Sequence, residues 1–190
     1  MAVALQQTAE YSKARGCMRQ QVNLQKQGEL MFKSKITDIL SDVEVFDGLA
    51  KADLKVISKC CQRISFKNGE TLIEMGQAPS ALYILIKGQL RVLLPKRLEG
   101  RKEHRASEVN LNTLNEGDCF GEYSLIEKTP ASASVIGVQS GEVLKIPEDG
   151  FRQIMSNDRI GKTVYCNLLH ILIKRLRKKE TELDLVLVVG

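Results

Sequence analysis

Tryptophan is absent from this 190-residue chain and aromatic residues make up only 5% of it, so a core must be built mainly from Leu, Ile and Val. Cysteine is present but unpatterned. Cys17, Cys60, Cys61, Cys119 and Cys166 are odd in number and contain no Cys-x-x-Cys pair, which argues against a zinc site or a disulfide framework. Reduced thiols and an intracellular, cytoplasmic setting are the expectation. The two histidines, His104 and His170, stand at no recognisable catalytic spacing from Ser, Cys or Asp. The glycines are too scattered for a Walker loop, and metal ligands are not clustered. Long apolar runs are missing too: Ala2-Val-Ala-Leu5 is too short for a signal peptide and Leu185-Val-Leu-Val-Val189 too short to span a bilayer. These absences leave a non-enzymatic, soluble chain without a membrane span as the expectation.

What is present is ordinary globular material, 43% hydrophobic and 27% charged, enough for one domain with elaborations and a core that needs no disulfide. Much of the net charge of +5 lies in two clusters, Lys96–Arg105 and Lys174–Lys179. So mild an excess reads as solvated surface rather than a nucleic-acid footprint.

Residues 1–33 are rich in Gln, with a thin helical stripe at Tyr11, Ala14, Met18 and Val22, and read as a helical extension. Residues 34–61 read as two short helices. Ser34 caps the first, and Leu49, Leu54, Ile57 and Cys61 mark one face of the second. From Arg63 the pattern changes to short strands punctuated by glycine. Asn68-Gly69 is a hairpin signal, Lys87-Gly88 and Ser140-Gly141 read as further turns, and Pro95 and Pro147 stop strands. The spacing predicts an antiparallel barrel or jelly roll over 63–147, with an exposed charged loop at 95–107. Residues 148–183 read as helices. The longer one carries Ile160, Val164, Leu168, Leu172 and Leu176, with Leu169, Ile171 and Ile173 widening a face too broad to leave in water. It ends in Lys174-Arg-Leu-Arg-Lys-Lys179, which complements its dipole, and 184–190 is read as a tail.

The segment Phe120–Val135 is the most informative. Gly121 permits a backbone conformation that a Cβ forbids, Glu122 opens a short apolar helical stretch, and Pro130 breaks it. The small residues Ala131, Ser132, Ala133 and Ser134 let a ligand lie against backbone, and the serine hydroxyls can donate to anionic oxygens. A one-turn helix here directs free N–H groups outward, as phosphate sites do.

This segment resembles the phosphate-binding cassette of cyclic-nucleotide-binding domains, of the kind in Crp-like regulators and kinase regulatory subunits. Phe120, Gly121, Glu122, Leu125, Pro130, Ala133, Ser134 and Val135 fit the motif without a gap, and Val45-Phe-Asp-Gly-Leu49 matches the family's entry to the barrel. The resemblance implies a mainly β fold: an antiparallel double-stranded β-helix with N-terminal helices at 34–61, a barrel at 63–147 and C-terminal helices at 148–183. It implies that Glu122 accepts a bond from a ribose 2′-hydroxyl, and that backbone N–H groups at Gly121, Ser124 and Ser132 hold sugar and phosphate. Cyclic AMP or cyclic GMP is the implied ligand, and Ser132 lies where a hydroxyl favours guanine. Where the family places the arginine that pairs with the phosphate, this chain has Ala131. Lys128 is the nearby cation in sequence.

Two functions are then compatible with the residues. One is a regulatory module that senses a cyclic nucleotide or similar small anion, with atypical phosphate recognition, and signals through its C-terminal helix. The other is a ligand-independent domain serving as a dimerisation or protein-docking scaffold. A homo-oligomer or a protein partner through the long helix fits either. Only about a dozen residues follow Lys179, too few for the winged helix-turn-helix of Crp-type regulators, so direct DNA binding is not expected.

Overall fold

The computed structural model describes residues 36–78, 80–96 and 107–189. The expected extension at 1–33, the Ser34 cap and most of the charged loop, with His104, lie outside the described residues. A helical stretch at 36–41 and a 3₁₀ turn at Glu44–Phe46 lead into α1, Lys51–Ser58. Strands β1 (Gln62–Phe66), β2 (Thr71–Ile73), β3 (Ala81–Leu94), β4 (Val109–Leu114) and β5 (Cys119–Phe120) follow. Helix α2, Glu122–Glu127, leads to β6, Ser134–Pro147, and then to α3 (Glu148–Met155) and α4 (Asp158–Val189). No helix among the described residues is long and apolar enough to cross a membrane.

The sheet is antiparallel, as expected, but it is not a closed barrel. Its strand path is β1-β6-β3-β4, with β2 also on β6 and β5 also on β3. The two 14-residue strands pair with each other along their length and use their outer edges for the short strands, so no ladder joins β4 back to β1. Two of the expected turns are bends inside these long strands. Gly88, with φ +97°, sits where the register of β3 against β6 slips, and Gly141 lies opposite it. A Cβ on Gly141 would stand 1.9 Å from the Lys87 carbonyl oxygen, so the two bends nest only because this residue has no side chain. The Asn68-Gly69 turn is present, with Gly69 at φ +79°, but it joins two strands that both pair with β6 rather than with each other.

Alternation along β3 and β6 divides the core. Leu82, Ile84, Leu144 and Ile146 point to the helical side, packing with Leu54, Ile57, Phe151, Ile154, Ile160, Val164 and Leu168. Tyr83, Leu85, Leu90 and Val143 point to the other side, with Phe66, Leu114, Phe120 and Val135. Because helices cover one face and the curled sheet the other, the start of β3 is buried at five successive residues.

Helix α4 runs 32 residues, past Lys179 and through the segment read as a tail. Polar clamps at eight-residue intervals hold it to the domain. Arg159 binds both carboxylate oxygens of Asp53, Asn167 donates to the carbonyls of Val45 and Asp47 at 3.1 and 2.9 Å, and Arg175 reaches the sheet. Asp53, only 4% exposed, also accepts the Ala50 N–H at the start of α1 at 3.2 Å. The Arg159 hydrogen bond holds the Asp53 carboxyl below the usual carboxylate range. Its stabilising effect is therefore complete above the unfolded pKa of about 3.9 and is lost as pH falls through the lower folded value. Asp53→Asn should lower the melting temperature at pH 7, and the gap from wild type should narrow below about pH 4; a gap independent of pH would contradict this role.

Candidate functional site

The site starts where β5 ends. Phe120 stacks on Tyr83 of β3, with ring centroids 5.1 Å apart and planes 12° from parallel. Gly121 then turns the chain at φ +85°, and a Cβ there would lie 2.6 Å from the Ala81 carbonyl oxygen. Only glycine meets both demands. The turn sends the Glu122 side chain inward, where the residue is 2% exposed. A lone carboxylate cannot be buried so deeply without a partner.

The partner comes from α4. The Arg175 guanidinium donates to Glu122 Oε1 at 2.6 Å and to the Cys119 carbonyl oxygen at 2.5 Å. Burial pushes the Glu122 carboxyl above the usual range, and the charge of Arg175 draws it back down. Burial first, and the Glu122 charge second, push the neighbouring Cys119 thiol up to about 12, which leaves it no thiolate character.

These groups border a cavity of about 320 Å³, within the range of small-ligand sites. Apolar walls come from Ile73, Val92, Leu111, Leu114 and Val135, and the helix α4 side from Leu172, Arg175, Leu176, Lys178 and Lys179. Of the residues expected from sequence, Phe120, Gly121, Glu122, Ser124, Ala131 and Ser132 line this cavity together. Leu125 and Ser134 stand outside the lining. Leu125 packs in the core with the helices, and Ser134 Oγ accepts the Met75 N–H at 3.0 Å. Lys128 is exposed and also outside it. The backbone of Ala131 is committed elsewhere, its N–H donating to Gln77 O and its carbonyl accepting from Gly76, both at 2.8 Å.

From sequence alone, Arg175, Lys178 and Lys179 read as solvated charge complementing a helix dipole, and the cavity lining is not foreseen. A signal was available. The buried stripe Ile160, Val164, Leu168, Ile171 continues, at the same spacing, onto Arg175. A cation in the register of an apolar stripe asks for a buried partner. Among the described residues no group of His, Cys, Asp and Glu is arranged to hold a metal ion, and His170 is exposed on α4.

An antiparallel sheet whose short strand-to-helix turn borders a helix-covered cavity is an architecture suited to holding a small ligand. The chain belongs to the cyclic nucleotide-binding domain family, which matches residues 63–158. It is 29% identical over 142 residues to the cyclic AMP receptor protein of Thermus thermophilus, covering 75% of this chain and 61% of the relative. It is 27% identical over 125 residues to a cGMP-dependent protein kinase of Caenorhabditis briggsae, covering 65% and 16%. The chain therefore spans about three-fifths or less of these relatives' own length. Among solved structures, the cAMP-bound regulatory domain of Toxoplasma gondii protein kinase A superposes with a TM-score of 0.63 at 20% identity, covering 83% of this chain and 52% of that one. The Thermus thermophilus catabolite activator protein gives 0.60 at 29%, covering 75% and 62%. The fold is the family's jelly roll with a C-terminal helix, and the domain is of the regulatory cyclic-nucleotide-binding type.

Arg175→Ala should destabilise the protein by about 3 kcal/mol, because it strands a buried carboxylate. Combining it with Glu122→Gln should recover part of that loss, since the amide carries no charge. A double-mutant cycle in denaturant measures the coupling, and additive losses would show that the two side chains do not act as a pair.

Proposed function

We propose that this chain is a sensor for a cyclic nucleotide, or a small anion of similar shape, whose phosphate recognition does without the cassette arginine and whose α4 helix transmits occupancy. The observation that carries this reading is the cavity itself. It brings Gly121, Glu122, Ser124 and Ser132 together under the same helix that would carry the signal. Glu122 supplies an acceptor for sugar hydroxyls, and the small residues 131–133 let a ligand approach backbone closely. The Thermus relative is named for cyclic AMP and the Caenorhabditis kinase for cGMP, which makes these two nucleotides the probes of choice. Ala131 supplies no charge, so affinity below that of an arginine-bearing cassette is expected, by roughly tenfold or more.

A second reading, a scaffold that binds no nucleotide, is favoured by α4. Tyr165, Leu169, Ile173, Leu176 and Leu183 expose apolar surface along it, and Leu169, Leu176 and Leu183 repeat every seventh residue. A seven-residue apolar repeat is the spacing a paired helix would use, and a dimer through α4 is compatible with either reading.

Titration calorimetry with cyclic AMP and cyclic GMP at low-millimolar concentration separates the two. Saturable one-to-one binding, with a ligand-dependent rise in melting temperature, is the expected result. Ala131→Arg should tighten it by about tenfold or more. If neither the wild type nor Ala131→Arg binds either nucleotide, the sensor reading is wrong and the scaffold reading stands.

A further inference from the structure

An anion entering this cavity needs a counter-charge, and the cassette loop offers none. Ala131 is neutral, its N–H is spent on Gln77, and Lys128 lies outside the lining. The lining contains one carboxylate, Glu122, which by itself would repel an anion, and three cationic side chains, Arg175, Lys178 and Lys179. All three belong to α4. Their charges are not equally available. Arg175 is consumed by Glu122 at 2.6 Å and Lys179 by Glu182, also at 2.6 Å. Lys178 forms no ion pair among the described residues, although its charge is felt by Glu182.

We infer that an anionic ligand of this cavity takes its counter-charge from helix α4, through Lys178 beside the Arg175–Glu122 anchor, rather than from the loop at 131–133. The inference rests on the reading of the cavity as a site for a cyclic nucleotide or similar anion. It assigns a residue and an element to the part of the site that the cassette leaves without charge. Arg175 neutralises Glu122 and so removes the repulsion, and Lys178 then adds the attraction. Both groups sit within one turn of the same helix. Ligand binding and α4 docking thereby become one equilibrium, because an occupied site holds the helix in place through Lys178 and a departing ligand releases that hold.

The test is calorimetry on the full chain with cyclic AMP and cyclic GMP, and with adenosine and guanosine as uncharged counterparts. The proteins compared are the wild type, Lys178→Gln and Lys178→Arg. Position 178 is exposed and Gln and Arg are good helix formers, so the unliganded melting temperature should not move. Lys178→Gln should weaken cyclic nucleotide binding by about tenfold, leave nucleoside binding unchanged and abolish most of the salt dependence. Lys178→Arg should restore all three. Wild-type-like affinity in Lys178→Gln would overturn the inference while leaving the sensor reading intact, and so would equal wild-type affinity for cyclic nucleotides and nucleosides. Absence of cyclic nucleotide binding by the wild type and by Ala131→Arg would remove the sensor reading itself, and this inference with it.

Discussion

A carboxylate that is 2% exposed must find a cation or lose its charge, and that requirement ties this molecule together. Glu122 is driven inward by a left-handed glycine that no other residue can replace, and the cation that meets it comes from a helix more than fifty residues further along the chain. The Glu122–Arg175 pair therefore joins the turn after β5 to α4. It also sets the electrostatics of the cavity between them. With Arg175 docked, the wall is free of net negative charge. With Arg175 withdrawn, the same wall would repel any anion.

The other contacts of α4 make that docking position definite. Ile160, Val164 and Leu168 bury its first half in the helical-side core, where it meets the 3₁₀ turn and α3, and Arg159 and Asn167 fix its rotation by hydrogen bonds to Asp53 and to the carbonyls of Val45 and Asp47. The second half has fewer apolar anchors. Beyond Ile171 it has only the half-buried Leu172 and Arg175 beside the cavity, while Leu176 at the cavity rim and Leu183 are exposed. A helix anchored by apolar packing at one end and by an ion pair beside a ligand cavity at the other is well placed to respond at the second end only. Charge in the cavity acts there directly, whereas the apolar end is indifferent to it.

The sheet shows a parallel division of labour. The two long strands are bent at Gly88 and Gly141, and the close approach of Gly141 to the Lys87 carbonyl leaves no room for a side chain. These bends let single strands serve both the helix-covered face and the cavity face. Val92 of β3 and Val135 of β6 line the cavity, while Leu82, Ile84, Leu144 and Ile146 of the same strands build the helical core. The cavity is thus an end of the same curled sheet whose other end packs the helices.

Local chemistry in the chain was sufficient for the strands, the helices, the glycine turn at 121 and the cassette residues, because period-two and helical alternation, Gly and Pro act over a few neighbours. It identified six residues that share the cavity, since those lie within a dozen positions of one another. It was misleading where a Gly-containing pair can equally reverse a strand or bend one: Lys87-Gly88 and Ser140-Gly141 look the same in either case, and only the pairing of β3 with β6 decides. It was misleading too on closure, where strand spacing predicts a barrel over 63–147 but the sheet stays open, because closure depends on which edges are left unpaired. It also could not assign Arg175, because a basic run at the end of a helix satisfies a local dipole argument as well as a distant carboxylate. The chain by itself determined most of the elements and the family to which they belong. The tertiary structure decided that the cations of the cavity come from α4, because charge complementarity across a fold is set by distance in space and not by distance along the chain.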